Sequence, residues 1–168
     1  MTEFILSNVT VYSSICQDAF RNIEDDHIEL QRMMPDGVVI TRKTLDLSQR
    51  SFKNALILIV FSGMWLEAIL HLLIVEHHSK TKYNQNDKAT YEEKMKLLGV
   101  GDDELYNSLK WFRDLRREVV HEKAYFDRKN VRIAQDEAQK AHALMGKVYS
   151  CLVQAKILDS HLENHPTA

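Results

Sequence analysis

The chain has 168 residues, 45% hydrophobic and 27% charged, which suits one globular domain built on one core. Five glycines and two prolines give too little punctuation for an all-β fold. A formal net charge of −2 excludes bulk electrostatics as the draw for nucleic acid and leaves that role to a local basic cluster.

Two cysteines, Cys16 and Cys151, lie far apart and belong to no paired motif, which fits small buried hydrophobes in a reducing, cytoplasmic setting. Met1-Thr2-Glu3 lacks the basic start of a secretory signal.

In chain order, apolar residues recur at helical spacing from Asn8 to Met34, through Val9, Ile15, Cys16, Phe20, Ile23, Ile28 and Leu30. This pattern predicts one long helix, stopped by Pro35-Asp36-Gly37. Val38-Val39-Ile40-Thr41 is β-branched and predicts a short extended excursion, too small to make a sheet alone.

A second helix is expected from Asp46 or Ser48 to about His78. It contains the 21 apolar-rich residues Ala55–Val75, long enough to span a bilayer. Glu67 and His71 interrupt that run, and basic residues flank both ends (Arg50 and Lys53; Lys80 and Lys82), so no charge asymmetry orients it. The expectation is a central core helix and no membrane.

Ser79 to Ala89 reads as an exposed polar loop. Thr90-Tyr91-Glu92-Glu93 is a capping box that opens a short helix closed by Gly99. Asp102 or Asp103 caps the next helix, whose stripe Leu105, Leu109, Phe112, Arg116 and Val119 has spacings of 4, 3, 4 and 3. The last helix is expected over about Asn130 to Leu158, with a close-packing seam of Ala134, Ala138, Ala141, Met145, Val148, Leu152 and Ala155. The architecture expected is all-α: one domain over residues 1–168, a bundle of four to five helices.

Arg116 is the informative residue, because arginine on an otherwise apolar stripe needs a partner or an interface. His121 follows it in Leu115-Arg116-Arg117-Glu118-Val119-Val120-His121-Glu122. On an ideal helix these two side chains lie about 140° apart. They converge only if the helix bends near Val119-Val120 or a second subunit completes the site.

Arg116-x4-His121 resembles the hallmark of the HEPN (higher eukaryotes and prokaryotes nucleotide-binding) domain family. The order of a long acid-bearing apolar helix (Trp65-Leu66-Glu67), a short helix (Glu93 to Gly99), the motif helix and a long closing helix is also similar to that family. The resemblance covers roughly residues 48–158. A second Arg–His pair of similar spacing, Arg21 and His27, lies in the expected first helix. Arg117 departs from the Asn, Asp or His that often follows the family's arginine.

The resemblance implies a metal-independent endoribonuclease, a toxin or antiphage effector working as a homodimer, with an antitoxin protein as a further partner. It casts His121 as general acid/base and Arg116 as the phosphate-stabilising residue. Glu67 and Arg117 are candidate supports, Glu67 by orienting Arg116. Arg113 and Lys123 are candidate RNA phosphate contacts.

The alternatives are a non-catalytic HEPN-like module that dimerises and binds nucleotide or protein, and a helical adaptor with Arg116 paired inside one subunit. No cofactor is expected. Neither Glu67/His71 nor His161/His165 has a third converging ligand, so no metal is expected.

Overall fold

The computed structural model describes residues 3–25, 28–35, 37, 39–44, 48–120 and 133–158. Its elements are α1 (Glu3–Asp25), β1 (Ile28–Met33), β2 (Val39–Thr44), α2 (Arg50–His77), α3 (Lys80–Gln85), α4 (Tyr91–Leu97), α5 (Asp103–Val120) and α6 (Ala134–Gln154). The packed body is an all-α bundle of six helices, one or two more than expected.

α2 is the hub, touching α1, α3, α4, α5 and α6. Its Leu58, Ile59, Leu66, Leu70, Leu73 and Ile74 are essentially inaccessible. Side chains of this size each contribute about 1.5–3 kcal/mol on full burial. From α6, Ala138, Ala141, Met145, Val148 and Leu152 enter the same core, as the seam predicts. Two of the five are alanines, which let the helix lie close to α2.

Cys16 of α1 is also buried, with its sulfur 3.7 Å from Ser62 Oγ, and desolvation pushes its thiol pKa up to about 11. Both cysteines are free, Cys151 being half-buried.

The first helix stops nine residues short of the expected Met34. It closes on Glu24-Asp25, and acids at a helix C-terminus oppose the dipole. Residues 28–33 become a strand instead, antiparallel to β2, with Ile28 opposite Thr44 and Met33 opposite Val39. Ile28 and Leu30 fit a two-residue repeat as well as a helical one, and the partner strand decides between them. The turn is closed by the Gly37 amide donating to the Met34 carbonyl at 2.9 Å, with Gly37 at φ 79°. Among the described residues the two strands contact only each other.

The expected polar loop holds the six-residue α3. Ser79 starts it by accepting from the Lys82 amide at 3.0 Å, and Tyr83 pins it by stacking on His71 with ring centres 3.9 Å apart. The capping box of α4 forms as the sequence predicts. The Glu93 amide donates to Thr90 Oγ1 at 3.3 Å, and the Thr90 amide donates to Glu93 Oε2 at 2.7 Å. Asp102 caps α5 by accepting from the Leu105 amide at 2.8 Å. α5 runs antiparallel to α6, with Glu104 at its start bound to Lys147 Nζ at 2.6 Å.

Among the described residues, α2 is the one helix long and apolar enough to cross a membrane, and 56% of its most apolar window is buried within the fold. Part of its remaining apolar surface forms a stripe. Ile57 is exposed, and Val60, Phe61, Met64 and Ala68 are half-buried along one side of the helix.

Candidate functional site

The site is built where α2, α4 and α5 meet. The buried face of α5 is Leu105, Leu109, Phe112 and Leu115. Leu115, one position before the residue expected in the seam, fills the core. This turns Arg116 to the margin, half-buried against its neighbours.

Two features hold Arg116 there. Gly63 of α2 leaves a notch, and a Cβ at that position would overlap the Cδ and Nε of the arginine. Tyr91, the first residue of α4, then accepts a hydrogen bond from Arg116 Nη1 at 2.6 Å. The Thr90–Glu93 box sets where α4 begins, and so where Tyr91 stands. The Tyr91 ring packs beside Phe112, centroids 6.2 Å apart. Arg116 Nε is buried and has no hydrogen-bond partner among the described residues.

No carboxylate among the described residues lies within ion-pair distance of Arg116. Glu67, expected to orient it, is bound to Lys94 instead, Nζ to Oε2 at 2.8 Å. The reason is proximity: Lys94 rises from α4, is 1% exposed, and needs a counter-charge inside the fold. Its ammonium also lies 5.6 Å from the centre of the Tyr83 ring. Tyr91, not Glu67, holds Arg116, and nothing in the local sequence singled it out.

Arg113 pairs with Glu92 at 2.7 Å, so its charge is already answered within the bundle. Arg117 is exposed and leans on Asp114 at 3.2 Å, one turn back, a contact that holds it weakly. His121 and Lys123 lie outside the described residues, as does His27 of the second Arg–His pair and the His161/His165 pair. The four described histidines serve the fold, His142 by stacking on Phe20 with ring centres 3.9 Å apart. His71 stacks on Tyr83, while His77 Nε2 and His78 Nε2 bond the carbonyls of Ile157 (2.9 Å) and Leu97 (3.1 Å). No group of three potential metal ligands occurs among the described residues.

The electrostatics follow from burial. Desolvation raises the Tyr91 phenol above its ordinary value, while the Arg116 cation and its hydrogen bond pull the other way. The phenol therefore stays protonated at neutral pH. A guanidinium has five N–H donors, and one of these is committed to Tyr91. The arrangement is a fixed cation with donors to spare, suited to an anionic oxygen. Comparison with protein-family models, with curated proteins and with solved structures returned no match.

Proposed function

We propose that the chain is a metal-independent endoribonuclease of the HEPN type, with Arg116 and His121 as its working pair. The observation that carries this reading is the state of Arg116. It is held in place by a glycine notch and a tyrosine hydroxyl, and no carboxylate among the described residues neutralises it. Arg113, three residues earlier on the same helix, is by contrast neutralised by Glu92.

RNA carries its own nucleophile. The ribose 2′-oxygen attacks the adjacent phosphorus and forms a 2′-O–P bond as the P–O5′ bond breaks. His121 takes the 2′ proton, and a proton is returned to the departing 5′ oxygen. Arg116 stabilises the charge on the non-bridging oxygens. The products are a 2′,3′-cyclic phosphate and a 5′-hydroxyl.

A homodimer suits this site. The stripe of Ile57, Phe61, Met64 and Ala68 lies on α2 beside the turn that holds Gly63. Packing two such stripes together covers apolar surface, as a twofold dimer would. A toxin or antiphage role in the cytoplasm, with an antitoxin protein as partner, extends the same reading.

The test is incubation of the purified chain with total RNA in EDTA. Cleavage is expected to survive chelation, to leave cyclic phosphate ends, and to disappear in both Arg116→Ala and His121→Ala while far-UV circular dichroism stays helical. Cleavage that persists in both variants rejects the assignment.

A further inference from the structure

We infer that Tyr91 is a second donor of the same anion site, its hydroxyl accepting from Arg116 and giving its own proton to the oxyanion that Arg116 holds. This deepens the proposed function and rests on Arg116 being the residue that faces phosphate.

A phenol hydroxyl both accepts and donates. The acceptor side of Tyr91 is taken by Arg116 Nη1 at 2.6 Å. No described residue accepts its O–H, although Tyr91 is only 3% exposed. A buried donor without an acceptor is costly, and the great majority of such groups find one. A phenylalanine would fill the same space beside Phe112 but would leave Arg116 Nη1 without its acceptor, so the fold accounts for the oxygen of Tyr91 and leaves its proton over.

The hydroxyl is bonded directly to Nη1 of a half-buried guanidinium, so an oxygen that the cation draws in along that side would meet the phenol proton as well. The two donors are complementary in kind: one brings a fixed charge, the other a directional O–H that burial keeps protonated at neutral pH. The ligand class is a phosphate or phosphodiester oxygen. A carboxylate is the weaker fit, because tetrahedral phosphate presents oxygens to donors from two helices at once.

The pair also has an internal logic of position. Gly63 sets the depth of Arg116, and the Thr90–Glu93 box sets the start of α4 and hence the height of Tyr91. Donors carried by two helices and locked by a third are preorganised, which is the condition for a useful oxyanion contact.

The test is titration of the full chain with inorganic phosphate, followed by the Arg116 Nε–H signal in nitrogen-15 NMR. Saturable binding is expected in the wild type. Tyr91→Phe should weaken it about tenfold or more, the size of one hydrogen bond to a charged group. Arg116→Ala should abolish it.

Equal affinity in wild type and Tyr91→Phe overturns the role of Tyr91 while leaving the nuclease assignment to be judged by RNA cleavage alone. Absence of phosphate binding in the wild type overturns the anion site itself. Should Tyr91→Phe lose its helical signal, the chain labelled with 3-fluorotyrosine replaces it. Its more acidic phenol should lose phosphate affinity at a lower pH than the unlabelled chain, and an unchanged pH profile counts against the proposal.

Discussion

Two cations stand close together on the same three-helix junction, and they are treated in opposite ways. Lys94 is 1% exposed and closed off: Glu67 holds its ammonium at 2.8 Å, and the Tyr83 ring lies over it. Arg116 is half-buried, seated on Gly63, bonded to a neutral hydroxyl, and not paired with any described carboxylate. The difference is one of satisfaction. A cation whose charge is cancelled inside the fold serves the fold, and removing its partner costs stability. A cation that is positioned but not cancelled keeps its field for something outside the fold.

The sharpest way to break this contrast is to truncate both cations' key groups and ask where the loss appears. Arg116→Ala is expected to lower RNA cleavage by about a hundred- to a thousandfold, in line with removal of one oxyanion donor. Its unfolding free energy should stay within about 1 kcal/mol of wild type, since no ion pair is lost. Glu67→Ala should do the reverse. It leaves the Lys94 ammonium buried without a counter-charge and costs about 2–3 kcal/mol in urea unfolding. That lies below the roughly 3–5 kcal/mol of a wholly buried pair because the Glu67 side chain is 42% exposed. If Arg116→Ala unfolds the chain as readily as Glu67→Ala, the two cations are alike and the argument for an open site collapses.

Gly63→Ala sharpens the contrast further. The new Cβ overlaps the middle of the Arg116 side chain, which must move off its seat. Alanine also favours the helix by up to about 1 kcal/mol, so overall stability should change little. Cleavage should fall about tenfold or more, because small misplacements of a catalytic group are costly. Unchanged cleavage would show that the notch does not set the arginine's working position.

The bundle was largely legible because its signals are local. The capping box at Thr90, the cap at Asp102 and the alanine seam of α6 each depend on a few neighbouring residues, and each formed as read except that the seam ends at Leu152, with Ala155 exposed beyond the helix. The end of α1 was not legible. Ile28 and Leu30 satisfy two periodicities, and a strand some ten residues later decides the outcome.

At the site, Arg116 stood out as a cation among apolar neighbours, but its partner did not. Glu67 looked like the natural counter-charge until Lys94, four residues beyond the cap of another helix, claimed it. Tyr91 gave no signal of its own, since an aromatic at the first turn of a short helix reads as core. Pairing across helices is a long-range choice, and spacing along one helix does not contain it.

The smallest effect concerns the cap that sets the height of both groups on α4. The amide and hydroxyl of Thr90 hold the Glu93 carboxyl below its ordinary range, at 2.7 and 3.0 Å. Because the folded-state value is the lower one, this contribution is present above the unfolded carboxylate range and is lost as pH falls through the folded value. Thermal unfolding followed from pH 7 to pH 3 should therefore show Thr90→Ala less stable than wild type at neutral pH, with the gap narrowing in acid. Tyr91 and Lys94 leave the same short helix, so fraying its first turn loosens the open cation's seat before the closed pair, which lies a turn deeper. Cleavage at neutral pH should then drop severalfold in Thr90→Ala at temperatures where the bundle is still folded. A variant that loses stability without losing cleavage would place the arginine's support elsewhere than in Tyr91.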